Sequence, residues 1–130
     1  MATLRALFVC EGYSIDRISG NTSLFNIFES VSVGAIPKVC IVAFWKADAG
    51  DEQREFQALL KISEGENVLG EFPQNFRMTA SSHRSMFNIS GVPVRRAGQQ
   101  LLFEMRLNGH LVGSYEVAII AGDQMAGGIQ

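Results

Sequence analysis

The chain lacks a long apolar run, a strong excess of charge of either sign and more than two cysteines. Although 47% of its 130 residues are apolar, no apolar run approaches the roughly 18 residues that a membrane-spanning helix needs. The formal net charge is −2, and Arg95-Arg96 is the only basic doublet, so the electrostatic surface that drives nucleic-acid binding is missing. These properties predict a globular protein that binds neither nucleic acid nor a membrane.

Cysteine occurs only as Cys10 and Cys40. Both lie in apolar stretches, and the short spacings of zinc ligands are absent, so buried free thiols are expected. The first residues, MATLRALFVCEG, have no signal-peptide cleavage pattern and are interpreted as a first strand. We therefore expect a reducing, cytoplasmic location. A nucleophile elbow, a glycine-rich phosphate loop and a paired-acid motif are also missing from the sequence.

The strongest structural signal is the Asn-Gly dipeptide at 108–109, which divides the segment 99–120 into two apolar strands. This dipeptide is typical of a β-hairpin. A two-residue loop would pair Leu107 with His110 and would mix apolar and polar side chains on both faces. A three-residue loop, 107–109, would place Arg106 opposite His110 and leave one face apolar. The sequence therefore predicts the longer loop, with its glycine in the left-handed conformation of a G1 bulge.

Turn residues divide the rest of the chain into short segments. Strands are predicted at 4–11, 23–33, 39–47, 52–63, 68–72 and 86–94. Good helix formers in 52–63 leave a helix as the alternative there. The segment 73–85 is the least regular and is predicted to be a loop.

The strand at 39–47 is apolar on both faces, unlike an antiparallel strand with one wet face. We expect a central strand covered on both sides, or a strand whose second face, around Phe44 and Trp45, lies in a subunit contact.

Seven to eight short strands without a long helical period predict an all-β protein, specifically an antiparallel β-sandwich. A closed β-barrel is the alternative. We expect a single domain over residues 1–120, followed by a flexible tail at 121–130.

Several segments carry a resemblance to a known family: FVCEGYSID, NTSLFNIFESV and IPKVCIVAFW near the start, and AGQQLLFEMRLNGHLVGSYEV near the end. They resemble a bacterial family catalogued as a domain of unknown function. The closing segment also resembles the last two strands of immunoglobulin-like sandwiches, without the cysteine pair and tryptophan arrangement of antibody domains. The resemblance implies a small β-sandwich with no assigned activity, and it transfers no functional residue.

The two histidines are the candidates for a general base. His110 lies beside the hairpin turn, where neither a cleft nor an orienting partner is expected, so a solvated residue is the preferred interpretation. His83 lies in the segment 73–85 with serines at 81, 82 and 85. Neighbours in sequence do not make a catalytic dyad. The segment 73–85 is nevertheless where a small-molecule site is expected first.

Asp48, Asp51 and Glu52 lie in one predicted turn. Calcium needs about six to eight oxygen ligands, so Asp16 or Glu66 would have to converge on the same point. A solvated turn is the preferred interpretation, and no metal ligand is assigned.

Three functional hypotheses follow, in this order. The first is a non-enzymatic structural or protein-interaction module that forms a homo-oligomer or docks to a protein partner. The second is a small-ligand or metal-binding sandwich that uses the loops 48–52 and 73–85. The third is an enzyme that uses His83. No catalytic residue and no cofactor is assigned.

Overall fold

The computed structural model describes residues 1–121, which form nine β-strands and no helix. Except for Ala121, the predicted flexible tail lies outside the described residues. The strands are β1 (Thr3–Ile15), β2 (Thr22–Ile27), β3 (Ser30–Ser32), β4 (Gly34–Lys46), β5 (Glu55–Glu64), β6 (Asn67–Arg77), β7 (Ser82–Val94), β8 (Gln100–Leu107) and β9 (His110–Ile120).

The strands form two sheets that share one hydrophobic core. The first has the order β2-β1-β4-β7, and the second has the order β3-β9-β8-β5-β6. Neighbouring strands are antiparallel, except for the parallel pair β3 and β9. Buried side chains of both sheets, among them Trp45 of β4 and Phe56 of β5, belong to one cluster. Within residues 1–121 the two sheets are separate, which favours the predicted two-layer arrangement over a closed barrel.

The predicted strand at 23–33 is two strands in different sheets, which raises the strand count to nine. Asn26 adopts a positive φ of 52°. The chain then leaves the first sheet, with the Phe28 N–H donating to the Val9 carbonyl at 2.9 Å. Glu29 interrupts the apolar alternation between Ile27 and Val31 at this break, but one polar residue does not identify a change of sheet.

The prediction of a loop at 73–85 is wrong. Residues 73–77 complete β6 and residues 82–85 begin β7, so only 78–81 connect the two strands. Both are edge strands with many polar outward positions, and polar residues lower the apparent strand signal. Phe76 and Met78 are buried, as their apolar character predicts.

The predicted strand over 52–63 is confirmed as β5, and the helical alternative is wrong. The buried positions alternate along it, as expected for one face on a core: Phe56, Ala58, Leu60 and Ile62.

The turn between β8 and β9 is shorter than predicted. Leu107 lies opposite His110, so the loop has two residues. Asn108 and Gly109 have φ angles of 49° and 86°. Two successive positive φ angles are typical of a type I′ turn, whose twist matches that of the flanking strands. The predicted three-residue loop with a G1 bulge is therefore wrong.

A bulge inside the hairpin explains the error. Arg106 pairs with Leu111, whereas Met105 pairs with Gly113, so Val112 is an extra residue. The extra residue restores the alternation that a short loop would otherwise have disrupted. Leu111 faces outward and is 54% exposed, and the strand residues beyond the bulge keep their apolar face on the core.

Candidate interaction surface

The outer face of the central strand β4 is covered by the chain itself. Cys40 and Val42 point away from the main core, yet both are fully buried. With Cys10 they form a second cluster, against which Tyr13 and Leu24 pack. These two residues belong to the β1–β2 hairpin, whose residues 12–27 are called the arm. Of the two predicted explanations for the two-sided strand, the structure supports coverage on both sides.

An arginine at the far edge of the sheet anchors the arm. Arg84 lies on β7, whereas the arm contains β2 at the opposite edge. Its Nη1 atom donates to the Thr22 hydroxyl at 2.5 Å and to the Gly20 carbonyl at 3.3 Å. The arm therefore reaches across the sheet.

The position of this anchor requires the arm to fold back. Thr22 pairs with the residue of β1 that lies five positions beyond Cys10. Arg84 pairs with the residue of β4 that lies four positions beyond Cys40. Because Cys10 and Cys40 pair in antiparallel strands, these two offsets point in opposite directions. At about 3.3 Å per residue, straight strands would hold the two groups about 30 Å apart. Near the base of the arm, the Asn26 amide donates to the Glu11 carboxylate at 2.9 Å.

The tip of the arm is an ordered turn. The Asp16 carboxylate accepts a hydrogen bond from the Ser19 hydroxyl at 2.6 Å and from the N–H groups of Ile18 and Ser19 at 3.4 and 3.3 Å. These bonds lower the pKa of Asp16. Ile18 is 97% exposed at this turn, so an apolar side chain is presented to solvent on a structured backbone.

Exposed apolar side chains are concentrated on the arm. Among residues 1–121, eight large apolar side chains are exposed, and four of them lie on the arm: Ile15, Ile18, Phe25 and Ile27. By contrast, Trp45 is buried in the main core and Phe44 is half-buried against Phe8. Half of the exposed large apolar side chains of the described residues are therefore on the arm, whereas Phe44 and Trp45, the predicted alternative contact face, are largely covered by the chain itself.

The edge strand of the arm has no protecting residue of its own. β2 pairs only with β1 and has the sequence TSLFNI, without a charge or a proline. Charged residues and proline protect edge strands against pairing with another chain. The long edge strands β6 and β7 contain such residues: Glu71, Pro73 and Arg77 in β6, and Arg84 and Pro93 in β7. The remaining edge strand, β3, has only three residues.

In the predicted acidic turn, the Asp51 carboxylate binds groups of the chain itself. Asp51 is buried, and its side chain accepts a hydrogen bond from the Asp48 N–H at 2.8 Å. Arg54 and the N-terminal ammonium lie 3.4 and 3.7 Å from the other carboxylate oxygen. Glu52 is exposed. In the described part of the chain, no three His, Cys, Asp or Glu residues are grouped as metal ligands.

The two loops proposed for a ligand do lie side by side. The Gln53 N–H donates to the Met78 carbonyl at 2.6 Å, and the Ala47 N–H donates to the Ser81 carbonyl at 2.8 Å. These bonds join the residues on either side of 48–52 to the connection 78–81, and the Met78 side chain is fully buried.

His83 is part of the aromatic end of the core. Its ring stacks on Phe76 with 4.4 Å between centroids and an interplanar angle of 4°. Burial, with the charge of Arg84 as a smaller cause, lowers the pKa of His83. The nearby Ser85 hydroxyl accepts a hydrogen bond from the Trp45 indole N–H at 3.0 Å. The histidine ring therefore packs on Phe76 and the serine hydroxyl binds Trp45, so these contacts do not pair the two residues as a base and a nucleophile. His110 is exposed at the start of β9.

A groove at the base of the arm was not anticipated from the sequence. It has a volume of about 530 Å³ and is lined by residues of the segments 26–32 and 35–38 together with Glu11. Lys38 and Glu29 are among its polar residues. Its walls come from four strands and their connections, so no short motif could have indicated it.

The chain matches none of the models of known protein families, and a comparison with curated proteins found no match. Residues 1–121 contain no helix that is long and apolar enough to cross a membrane.

Proposed function

We propose that this protein is a non-enzymatic interaction module that self-associates through the β2 edge of its arm. The observation that carries the proposal is the coincidence of two features on one element. The arm has half of the exposed large apolar side chains among the described residues, and its edge strand has no protecting charge or proline.

The proposed partner is a second copy of the chain, paired through β2 in antiparallel orientation about a two-fold axis. Such an interface is self-complementary and closes at the dimer, whereas a head-to-tail contact would propagate. Backbone hydrogen bonds would extend the four-stranded sheet across both copies, and Phe25 would be covered near the axis. Because β2 contains no charged residue, placing it against itself brings no like charges together.

The experiment is sedimentation velocity over a wide range of protein concentration. We expect a concentration-dependent dimer for the unaltered protein and a monomer for Phe25→Lys, because a lysine on an edge strand opposes pairing. Leu111→Lys is the matched control, since Leu111 and Phe25 are 54% and 53% exposed and only the latter lies on the arm. The control should still dimerise. A monomer at every concentration, or the same loss of dimer in both variants, would overturn the proposal.

We also propose that the two-sheet fold is immunoglobulin-like. Pairing of β4 with β7 corresponds to strands B and E, and the order β9-β8-β5-β6 corresponds to G-F-C-C′. β1 then takes the position of strand A, and the rest of the arm is an addition to the scheme. No strand takes the position of D among residues 1–121, and both cysteines lie in one sheet rather than joining two. Membership of the uncharacterised bacterial family and a cytoplasmic location stay predictions.

A second candidate function is small-ligand binding, and the groove at the base of the arm favours it over the loops 48–52 and 73–85. The loops are joined by their own backbone hydrogen bonds, whereas the groove is open and has both acidic and basic side chains. A ligand that binds only the folded state raises the melting temperature. Thermal shift measurements with a metabolite and metal panel test this function. A hit that survives in Lys38→Ala would place the ligand elsewhere.

A further inference from the structure

The two cysteines of the chain lie directly opposite each other in neighbouring antiparallel strands. Cys10 of β1 pairs with Cys40 of β4, and the Cys10 thiol donates to the Cys40 carbonyl at 3.5 Å. Both thiols are free and fully buried. The pair forms the centre of the small cluster beneath the arm.

This pairing satisfies the main geometric condition for a disulfide. Opposite residues of an antiparallel pair have Cα atoms about 4.5 to 5.5 Å apart. Disulfides usually span about 4.4 to 6.8 Å between Cα atoms. Rotation of the two side chains could therefore bring the sulfurs together without displacing either strand.

Side chains of the arm cover these thiols together with Phe44 and Met86 of the sheet. Tyr13 and Leu24 lie over the cluster, and the Arg84 anchor holds the hairpin in this position. Burial raises the pKa of both thiols, and that of Cys40 reaches about 11 with the neighbouring Cys10 as a further cause. Because the thiolate is the reactive form, the covered pair should react slowly at neutral pH.

We propose that Cys10 and Cys40 are an arm-gated dithiol, which a low-molecular-weight disulfide oxidises to an intramolecular disulfide when the arm lifts. One cysteine thiolate attacks a sulfur of the small disulfide, forms a mixed disulfide and releases one small thiolate. The second cysteine thiolate attacks the protein sulfur of the mixed disulfide, closes the Cys10–Cys40 bond and releases the second small thiolate. The cysteine sulfurs give up two electrons, the small disulfide is reduced to two thiols, and the two cysteine protons go to those thiols.

The test follows the reaction of the folded protein with oxidised glutathione by intact mass spectrometry without reductant. The closed product has lost the mass of two hydrogen atoms. Arg84→Ala removes the anchor, and we expect it to form the disulfide roughly tenfold faster than the unaltered protein, because the open arm becomes more populated. Thr22→Val removes one acceptor of the anchor with little change in shape, and should accelerate closure in the same direction.

The control is Ile62→Val, a mild truncation in the core of the other sheet. Its closure rate should match that of the unaltered protein if the arm, and not global unfolding, admits the oxidant. Equal acceleration in Ile62→Val and Arg84→Ala would overturn the gating. The intramolecular disulfide would be overturned by a lasting glutathione adduct or by a cross-linked dimer. It would also be overturned if Arg84→Ala did not react under conditions in which the urea-unfolded chain reacts. The thiol chemistry does not depend on self-association, so a monomeric protein leaves these outcomes unchanged.

Discussion

The indole N–H of Trp45 donates a 3.0 Å hydrogen bond to the hydroxyl of Ser85 inside the core. Trp45 is fully buried, so Ser85→Ala would leave its N–H without this acceptor in an apolar surrounding. An unsatisfied buried donor costs about 1–3 kcal/mol. We expect Ser85→Ala to lower the free energy of unfolding by that amount in urea denaturation. The exposed Ser82→Ala should change it by less than about 0.5 kcal/mol, and equal effects would contradict this role.

Glu64 provides a second buried polar contact that denaturation can probe. Its carboxylate is almost fully buried and accepts hydrogen bonds from the N–H groups of Arg95 and Arg96 at 2.6 and 3.1 Å. Hydrogen bonds to a charged group contribute about 1.5–3 kcal/mol each, so Glu64→Ala should be strongly destabilising. Glu64→Gln keeps one acceptor oxygen and should recover part of the loss. The exposed Glu66→Ala is the control, and a loss as large as that of Glu64→Ala would argue against a specific role.

The strands were predictable wherever the determinants were local. In β5, Phe56, Ala58 and Leu60 recur at every second position with polar residues on the other face except at Leu59, and this period identifies both the strand and its buried face. The arm was not predictable in this way. Its fold-back depends on the contact between Thr22 and Arg84, which are 62 residues apart in sequence, and neither residue has a pattern that identifies the other.

The β8–β9 hairpin shows a different limit of prediction from sequence. The Asn-Gly dipeptide correctly indicates a turn, but its neighbours predict the right register only if both strands are uninterrupted. Val112 breaks that condition, since it is an extra residue with no partner in the ladder. Val112 is apolar and β-branched, as residues of regular strands often are, so its side chain gives no sign of the bulge.

Leu107 distinguishes the observed hairpin from the predicted one. It is fully buried as the last residue of β8, whereas a three-residue loop would place it in the turn. Leu107→Ala should therefore lower the free energy of unfolding by about 2–5 kcal/mol, the range for a leucine in a packed core. Leu111→Ala, at an exposed site across the same hairpin, should have a small effect. A small effect at both positions would support the longer loop.

The lowered pKa of His83 predicts that the stability of the folded protein depends on pH. Its pKa in the folded protein is lowered from 6.5, mainly by burial, so between the two pKa values the unfolded chain binds more protons than the folded chain. Stability therefore falls as the pH decreases through 6.5, and this contribution becomes constant below the lowered pKa. His83→Phe keeps a ring beside Phe76 without a titrating group, so its stability should depend less on pH between about 7.5 and 5.5. The exposed His110→Gln is the control and should retain the dependence of the unaltered protein. Urea denaturation across this range measures all three proteins, and identical pH dependence in His83→Phe and the unaltered protein would contradict the assignment.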